Sequence, residues 1–502
     1  MKQEKYADIT LILEGTYPFI KGGVSSWVHQ IIEGFSQYTF ALIFLGSKKS
    51  NYDELKYDLP NNVVHLECHY LWDHFCLSKP KACNGNNKYI LDSEKLHNWF
   101  RNPNLYFEND TLKKLLVSLG QSSGFTAEDF FYSEAAWQNF CGQYEKYNKD
   151  NSFIDYIWTV KNMHAPLFKL ANIAHQFSPI TGVFHTVSTG FAGFLGSLLN
   201  HITGRPLILT EHGIYTKERK IDLQSIFIKE HSDLLSDPLD MGMEYHELLW
   251  IRFFESLGRL TYRSANTITS LYEKNRERQI ADGADPHRTK VIPNGIEVSR
   301  FLDLRTQRSE KTPLVIGLLG RIVPIKDIKT FIRSLHMIIA HLPEAEGWLI
   351  GPENEEKEYV QECKDLVAEL GLNDKVRFLG FQKISDVLPR IGLLILTSIS
   401  EAFPLVILEA HASGIPVVTT DVGACREIIE GNSEEDRTLG SSGIVIPLAN
   451  PEATASAVIS MLKDEQRWRS AQRAGIQRVE RYYTLSGMLN SYKDIYDQTV
   501  TK

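Results

Sequence analysis

Two carboxylates, Glu401 and Glu409, stand in the run S-I-S-E-A-F-P-L-V-I-L-E-A-H-A-S-G-I-P-V-V, which begins at Ser398. Glu401 precedes an apolar helix start at Phe403–Val406, Glu409 lies inside that helix, and a buried-strand signal, Val417–Thr419, follows. A helix N-terminus carries unpaired N–H groups and about half a positive charge, so it favours a phosphate. Ionised carboxylates only accept hydrogen bonds, as from sugar hydroxyls. Pro404 suits the first turn because the N–H it lacks has no helical partner there, which leaves the Leu405 and Val406 amides to meet phosphate oxygens. A phosphate joined to a sugar fits such a site. The same residues taken alone serve equally well as a cap and a solvated helix acid, so their neighbours decide.

In L-L-G-R-I-V-P-I-K-D, Arg321 and Lys326 stand just beyond an apolar run, Leu314–Leu319, that reads as a strand. Open α/β sheets bind ligands outside the carboxyl ends of their strands. An arginine fork and a lysine point charge there can neutralise a diphosphate. His212, in L-T-E-H-G-I-Y-T, follows the strand Pro206–Thr210 and can donate to an oxygen at a reacting centre; His185 ends another strand. Gly22 and Gly23, beside Lys21, let backbone approach a ligand without Cβ interference. The pair matches neither G-x-G-x-x-G nor G-x4-G-K-[ST], which counts against a dinucleotide dehydrogenase and an ATPase. No Asp-x-Asp clamp, G-x-S-x-G elbow or H-E-x-x-H is present.

Two sets of strands must position these groups. Ile9–Leu13, Phe40–Leu45, Val63–Leu66, Ile180–His185, Pro206–Thr210 and Thr267–Ser270 form the first, with a helix from Val24 to Phe35 after the glycine loop. Leu314–Leu319, Trp348–Ile350, Val376–Leu379, Leu393–Leu396, Val417–Thr419 and Ile444–Ile446 form the second. Alternation with helices predicts α/β architecture with two Rossmann-like domains: residues 1–302, carrying an insertion at about 68–175, and residues 303–480. Asp303–Pro313, almost without apolar residues, reads as the linker, and residues 481–502 as a helix packing back on the first domain.

The 502 residues are 43% hydrophobic and 23% charged, with a formal charge of −8, so nothing draws the chain to nucleic acid or an anionic membrane. Ile9–Leu13 is too short for a signal-peptide core, and no run approaches the ~18 apolar residues of a spanning helix, which predicts a cytoplasmic protein. The six cysteines read as free thiols. His65, Cys68, His69, His74, Cys76 and Cys83 offer enough ligands for zinc, but in no usual zinc spacing, so a loop or small subdomain is the default.

The acidic pair in E-A-F-P-L-V-I-L-E, with G-R-I-V-P-I-K, V-I-P-N-G-I-E and the early G-G-V, resembles glycosyltransferase family 4, retaining enzymes of GT-B architecture whose two domains face each other across a cleft. Within it, E-G-T-Y-P-F-I-K-G-G-V-S-S-W, T-E-H-G-I-Y-T-K-E-R and G-R-I-V-P-I-K-D-I-K-T-F-I resemble the PelF type, associated with Pel exopolysaccharide. The resemblance implies Arg321 and Lys326 on the diphosphate, Glu409 on the ribose, Glu401 on the transferred sugar, His212 on the first-domain side of the reacting centre, and Gly380–Phe381 near the base. Pro404 departs from the family, which often has glycine there. The resemblance also implies a UDP-sugar donor, no metal or other cofactor, a growing glycan as acceptor, and an inner-membrane secretion complex as a candidate partner through which the protein would sit peripherally at that membrane. A UDP-sugar 2-epimerase of the same architecture and a non-catalytic nucleotide-sugar sensor stay open.

Overall fold

The structure, a computed structural model, describes residues 6–73, 85, 87–102, 107–120, 124–177, 179–221 and 245–500. It divides into two units: Met1–Ser270 with Asn275–Val291 and Lys493–Lys502, and Leu271–Lys274 with Ile292–Tyr492.

The first unit is built on a seven-stranded parallel sheet of β1 (Tyr6–Glu14), β2 (Phe40–Gly46), β3 (Val63–Tyr70), β4 (Ile180–Thr186), β5 (Leu207–Glu211), β6 (Thr267–Ser270) and β7 (Thr289–Val291), in the order β3-β2-β1-β4-β5-β6-β7. Every residue of β2 is buried, as befits a strand covered on both faces. Between β3 and β4 the chain leaves the sheet for helices Asn87–Arg101, Asn109–Ser118, Ala127–Tyr132, Glu134–Tyr147 and Phe153–Gln176. Hydroxyl caps start several of them. Thr126 and Asp129 form a capping box, and Ser133 and Ser152 accept from Ala136 N and Asp155 N.

The second unit holds six parallel strands, β8 (Val315–Leu319), β9 (Glu346–Ile350), β10 (Val376–Gly380), β11 (Leu393–Leu396), β12 (Val417–Thr420) and β13 (Gly443–Ile446), in the order β10-β9-β8-β11-β12-β13. Its last long helix, Glu465–Tyr482, drives Arg478 into the interior, where Nε meets Asp436 Oδ1 at 2.6 Å and the remaining N–H groups reach the carbonyls of Ile429, Asp436 and Gly440. Both side chains of this pair are fully buried.

Two expectations shift. The units part between Val291 and Ile292, ahead of the expected boundary at 302/303. The polar stretch Asp303–Pro313 is not wholly a linker either: helix Ser299–Thr306 runs into it and buries Phe301 and Leu304. Its charges are engaged, since Arg305 donates to Ala412 O and pairs with Glu480 at 2.7 Å. A run of charges reads as solvated until its partners, distant in sequence, are known. Near the C-terminus, helix Leu485–Thr499 begins in the second unit and its residues from Lys493 count with the first. No helix among the described residues is long and apolar enough to cross a membrane.

Asp436→Asn leaves a buried guanidinium without its counter-charge, a change that typically costs about 3–5 kcal/mol. The urea midpoint of the second unit should fall accordingly; an unchanged midpoint would show that the pair does not hold this helix.

Candidate functional site

In the second unit the strand order reverses between β8 and β11, and residues 320–327 and 397–404 leave their carboxyl ends side by side, the edge on which open α/β sheets bind ligands. Lys326 comes from one and Glu401 from the other, and their side chains form an ion pair, 17% and 14% exposed. That shielding lifts it above the exposed pairs that contribute little. Ser398 Oγ donates to the same Glu401 oxygen at 2.7 Å. The backbone fixes the register: Thr397 Oγ1 donates to Lys326 O at 2.9 Å, and Ile399 N to Ile325 O at 2.9 Å. Asp327, in the left-handed region at φ 46°, then caps helix Ile328–His341 through Thr330 N. Gly423 closes the loop from below. With φ +54°, a Cβ there would lie 2.3 Å from Glu401 O and 2.4 Å from Ala402 O.

The helix after Glu401 spans Leu405–Ala412, with Pro404 as its N-cap at ψ 103°. The proline stands one residue ahead of the first turn, a small correction that keeps Leu405 and Val406 as the leading amides. Glu409 lies deeper on this helix, partly buried, and burial pushes its carboxyl up to about 7 while the Arg300 charge pulls the other way. Arg321 is engaged elsewhere: its Nη1 donates to Glu355 Oε2 at 2.7 Å, both side chains about half exposed. Phe381 follows Gly380 at the end of β10 and is 82% exposed, an unusual amount of bare ring for a large apolar residue.

The first unit repeats the logic between β1 and β4. Gly22 and Gly23 lead into helix Gly23–Gly34, and a Cβ at either would meet open space, so this chain's own packing does not require glycine there. Trp27 of that helix packs edge-on against His212, ring centroids 4.7 Å apart. His212 is buried, its Nε2 has no hydrogen-bond partner among the described residues, and burial pulls its pKa down to about 4, so the ring is neutral near pH 7. His185 is occupied: Nδ1 meets Tyr496 Oη at 2.7 Å and Nε2 meets Thr210 Oγ1 at 2.8 Å. It is part of the core.

The structure thus joins Lys326 to Glu401 and sets Glu409 on the helix that follows, places Gly22, Gly23 and His212 in the first unit, and holds Arg321 on Glu355. Sequence reasoning passed over Ser398, Arg300, Gly423 and Glu211. Glu211 is a fully buried acid next to His212 that accepts from Tyr262 Oη at 2.6 Å, Gln279 Nε2 at 3.0 Å and Thr189 Oγ1 at 3.1 Å. Its place between a strand and a candidate histidine was a visible signal; its partners, far along the chain, were not. For the cysteine–histidine cluster, Nε2 of both His65 and His69 contacts Glu67, at 3.2 and 3.1 Å. His74, Cys76 and Cys83 lie outside the described residues, among which no group of three metal-ligating side chains occurs.

Residues 7–287, more than half of the chain, match the family described as Domain of unknown function (DUF3492), and residues 300–478 match Glycosyl transferases group 1. The chain belongs to the DUF3492 family. This DUF3492 chain is 28% identical over 219 residues to the lipopolysaccharide core biosynthesis mannosyltransferase LpsB of Rhizobium meliloti, covering 41% of the chain and 60% of that protein. It is 28% identical over 240 residues to the D-inositol 3-phosphate glycosyltransferase of Salinispora tropica, covering 44% and 48%. It spans about half the length of the curated relatives it matches. Among solved structures, Anabaena HepE in complex with UDP and glucose aligns with 98% of the chain and 100% of its own at TM-score 0.58 and 16% identity. The sucrose-phosphate synthase of Thermosynechococcus elongatus covers 98% of each chain at TM-score 0.56 and 16% identity. The α/β fold, two Rossmann-like parallel-sheet units, is that of GT-B glycosyltransferases.

Two outcomes follow from this geometry. Because Glu409 binds its proton more tightly when folded than its ordinary 4.5 allows, its contribution to stability is full below that value and is lost as pH rises through about 7. Glu409→Gln should therefore lose less thermal stability than the parent between pH 5 and pH 8, by at least about 2 °C in Tm; parallel curves would contradict the raised value. Gly423→Ala forces a Cβ into two carbonyls and should cost about 2 kcal/mol by chemical denaturation, the strain and overpacking expected where backbone meets backbone.

Proposed function

We propose that this chain is a retaining glycosyltransferase that moves a hexosyl unit from a UDP-sugar to a growing exopolysaccharide of the Pel kind. The observation that carries the reading is the shielded Lys326–Glu401 pair at the β8/β11 reversal, directly ahead of the Leu405 helix start. The group 1 match over residues 300–478 and the UDP complexes of HepE support the donor class. The relatives named as mannosyltransferase and inositol phosphate glycosyltransferase support the reaction class. The Pel-like acceptor rests on the motif resemblance in residues 8–35, 206–220 and 288–430.

In this reading an arriving diphosphate takes Lys326 from Glu401 and Arg321 from Glu355, and the Leu405 and Val406 amides face its oxygens. Glu401, released, accepts from hydroxyls of the transferred sugar, Glu409 from the ribose, and the exposed Phe381 ring stacks on the base. When the bond between the anomeric carbon and the phosphate oxygen breaks, its electron pair stays on the diphosphate. The fixed cations then stabilise the transition state more than the ground state, without a metal ion. The acceptor hydroxyl oxygen forms the new bond on the same face, its proton passing to the leaving phosphate. On the first unit, Gly22–Gly23 offers backbone without side chains and neutral His212 offers Nε2, which has no partner among the described residues, as ligand groups. The protein works in the cytoplasm, held at the inner membrane through a secretion complex.

A screen of UDP-, GDP- and ADP-sugars by thermal shift should single out UDP-sugars, since a ligand that binds only the folded state raises Tm. With the preferred donor saturating, Lys326→Met should lower turnover by at least about 100-fold, the scale of losing one group aimed at developing charge. Unchanged turnover, or a product of inverted anomeric configuration, would overturn this reading.

A further inference from the structure

The two oxygens of the Glu401 carboxylate are treated unequally. Lys326 Nζ and Ser398 Oγ both donate to Oε1, the serine at 2.7 Å, a length ordinary for a hydroxyl on an ionised carboxylate. Oε2 receives no hydrogen bond among the described residues, and it does not count among the buried polar atoms that lack a partner. It is the oxygen that a ligand can reach.

The two donors differ in what holds them. Lys326 carries its ammonium on a flexible stem that lies over Gly320, where a Cβ would stand 3.5 Å from Lys326 Cε, and such a stem can swing its charge to another anion. Ser398 has no such freedom. It is fully buried, its carbonyl accepts from Thr420 Oγ1 at 2.6 Å, and its neighbours Thr397 and Ile399 are tied to the carbonyls of Lys326 and Ile325. The S-x-x-E spacing of Ser398 and Glu401 is that of a helix capping box, in which each side chain would accept from the other residue's backbone N–H. Neither of those bonds forms among the described residues, so the serine hydroxyl is committed to the carboxylate. The last torsion of a glutamate is broad, and a carboxylate held by an ammonium alone would turn once the ammonium left. A fixed hydroxyl on Oε1 removes that freedom.

We propose that Ser398 is a positioning residue for sugar transfer: when the diphosphate draws Lys326 away, the serine hydroxyl keeps Oε1 and holds Oε2 toward a hydroxyl of the transferred sugar. This role rests on the reading of Glu401 as the group that meets the sugar, and it specifies which oxygen is used and what fixes it. UDP alone has no sugar to meet Oε2, so Ser398 bears on turnover and not on holding the nucleotide.

The test measures UDP affinity by calorimetry and UDP release from UDP-glucose, UDP-N-acetylglucosamine and UDP-N-acetylgalactosamine, each at saturation, with water taking the sugar when no glycan is supplied. The parent should release UDP from at least one of the three. With that donor, Ser398→Ala should lower turnover at least about tenfold, the scale of one hydrogen bond to a charged group, while binding UDP within about twofold of the parent. Ser398→Cys keeps a side chain of similar shape with a far weaker donor and should match the alanine variant, so whichever of the two folds supplies the readout. Turnover close to the parent's in a cooperatively melting variant would overturn the role of Ser398 and leave the transferase reading standing. Equal losses of turnover and UDP affinity would overturn it too, since they mark a general lesion of the loop. A parent that releases no UDP from any of the three sugars would overturn the reading and this role together.

Discussion

One salt bridge between two loops organises the β8/β11 edge of the second unit. Lys326 and Glu401 belong to segments far apart in sequence that meet because β8 and β11 are hydrogen-bonded neighbours where the strand order turns back on itself. Everything near them serves that meeting: Thr397 grips the Lys326 backbone, Ser398 shares the carboxylate, and Gly423 leaves room beneath the loop. A lysine held by a carboxylate in partial shelter is a cation already desolvated and aimed. In the proposed function, an incoming anion exchanges one partner for another and need not order a free side chain.

The strands were legible because parallel strands covered on both faces are unbroken apolar runs, and such runs ended where β8, β9 and β11 end. Candidate site residues were sought on a related ground: in α/β sheets chemistry collects at the carboxyl edge, so the residues after each run were the ones to inspect. What stayed hidden depended on partners distant along the chain. Nothing near Arg321 announced that its fork would lie on Glu355, and nothing near His185 announced Tyr496 and Thr210. The stretch from Asp303 misled by composition, because two buried residues, Phe301 and Leu304, suffice to seat a short helix that also carries Arg300, Asp303 and Arg305. Pro404 was read one step too deep, an error of the size that helix ends usually produce.

His185 and His212 of the first unit show how burial alone does not assign a role. Both are sheltered and both are pulled well below their ordinary pKa. His185 has both nitrogens satisfied and completes a core, whereas His212, edge-on to Trp27, keeps one nitrogen without a partner among the described residues. Orphaned buried polar atoms are rare in folded chains because each costs the hydration it forgoes.

The Tyr496–His185 contact also bears on how the protein can be cut. The first unit is not a continuous stretch of sequence: it closes only when residues from Lys493 onward return to it. A truncation ending after residue 287, natural as it looks from the family match, would remove the ring that Tyr496 lays against Phe35 and His185 and open the middle of the β1/β4 region to water. Excising this half for separate study therefore requires carrying the chain's last helix along, joined by a designed connection rather than by the residues that lie between.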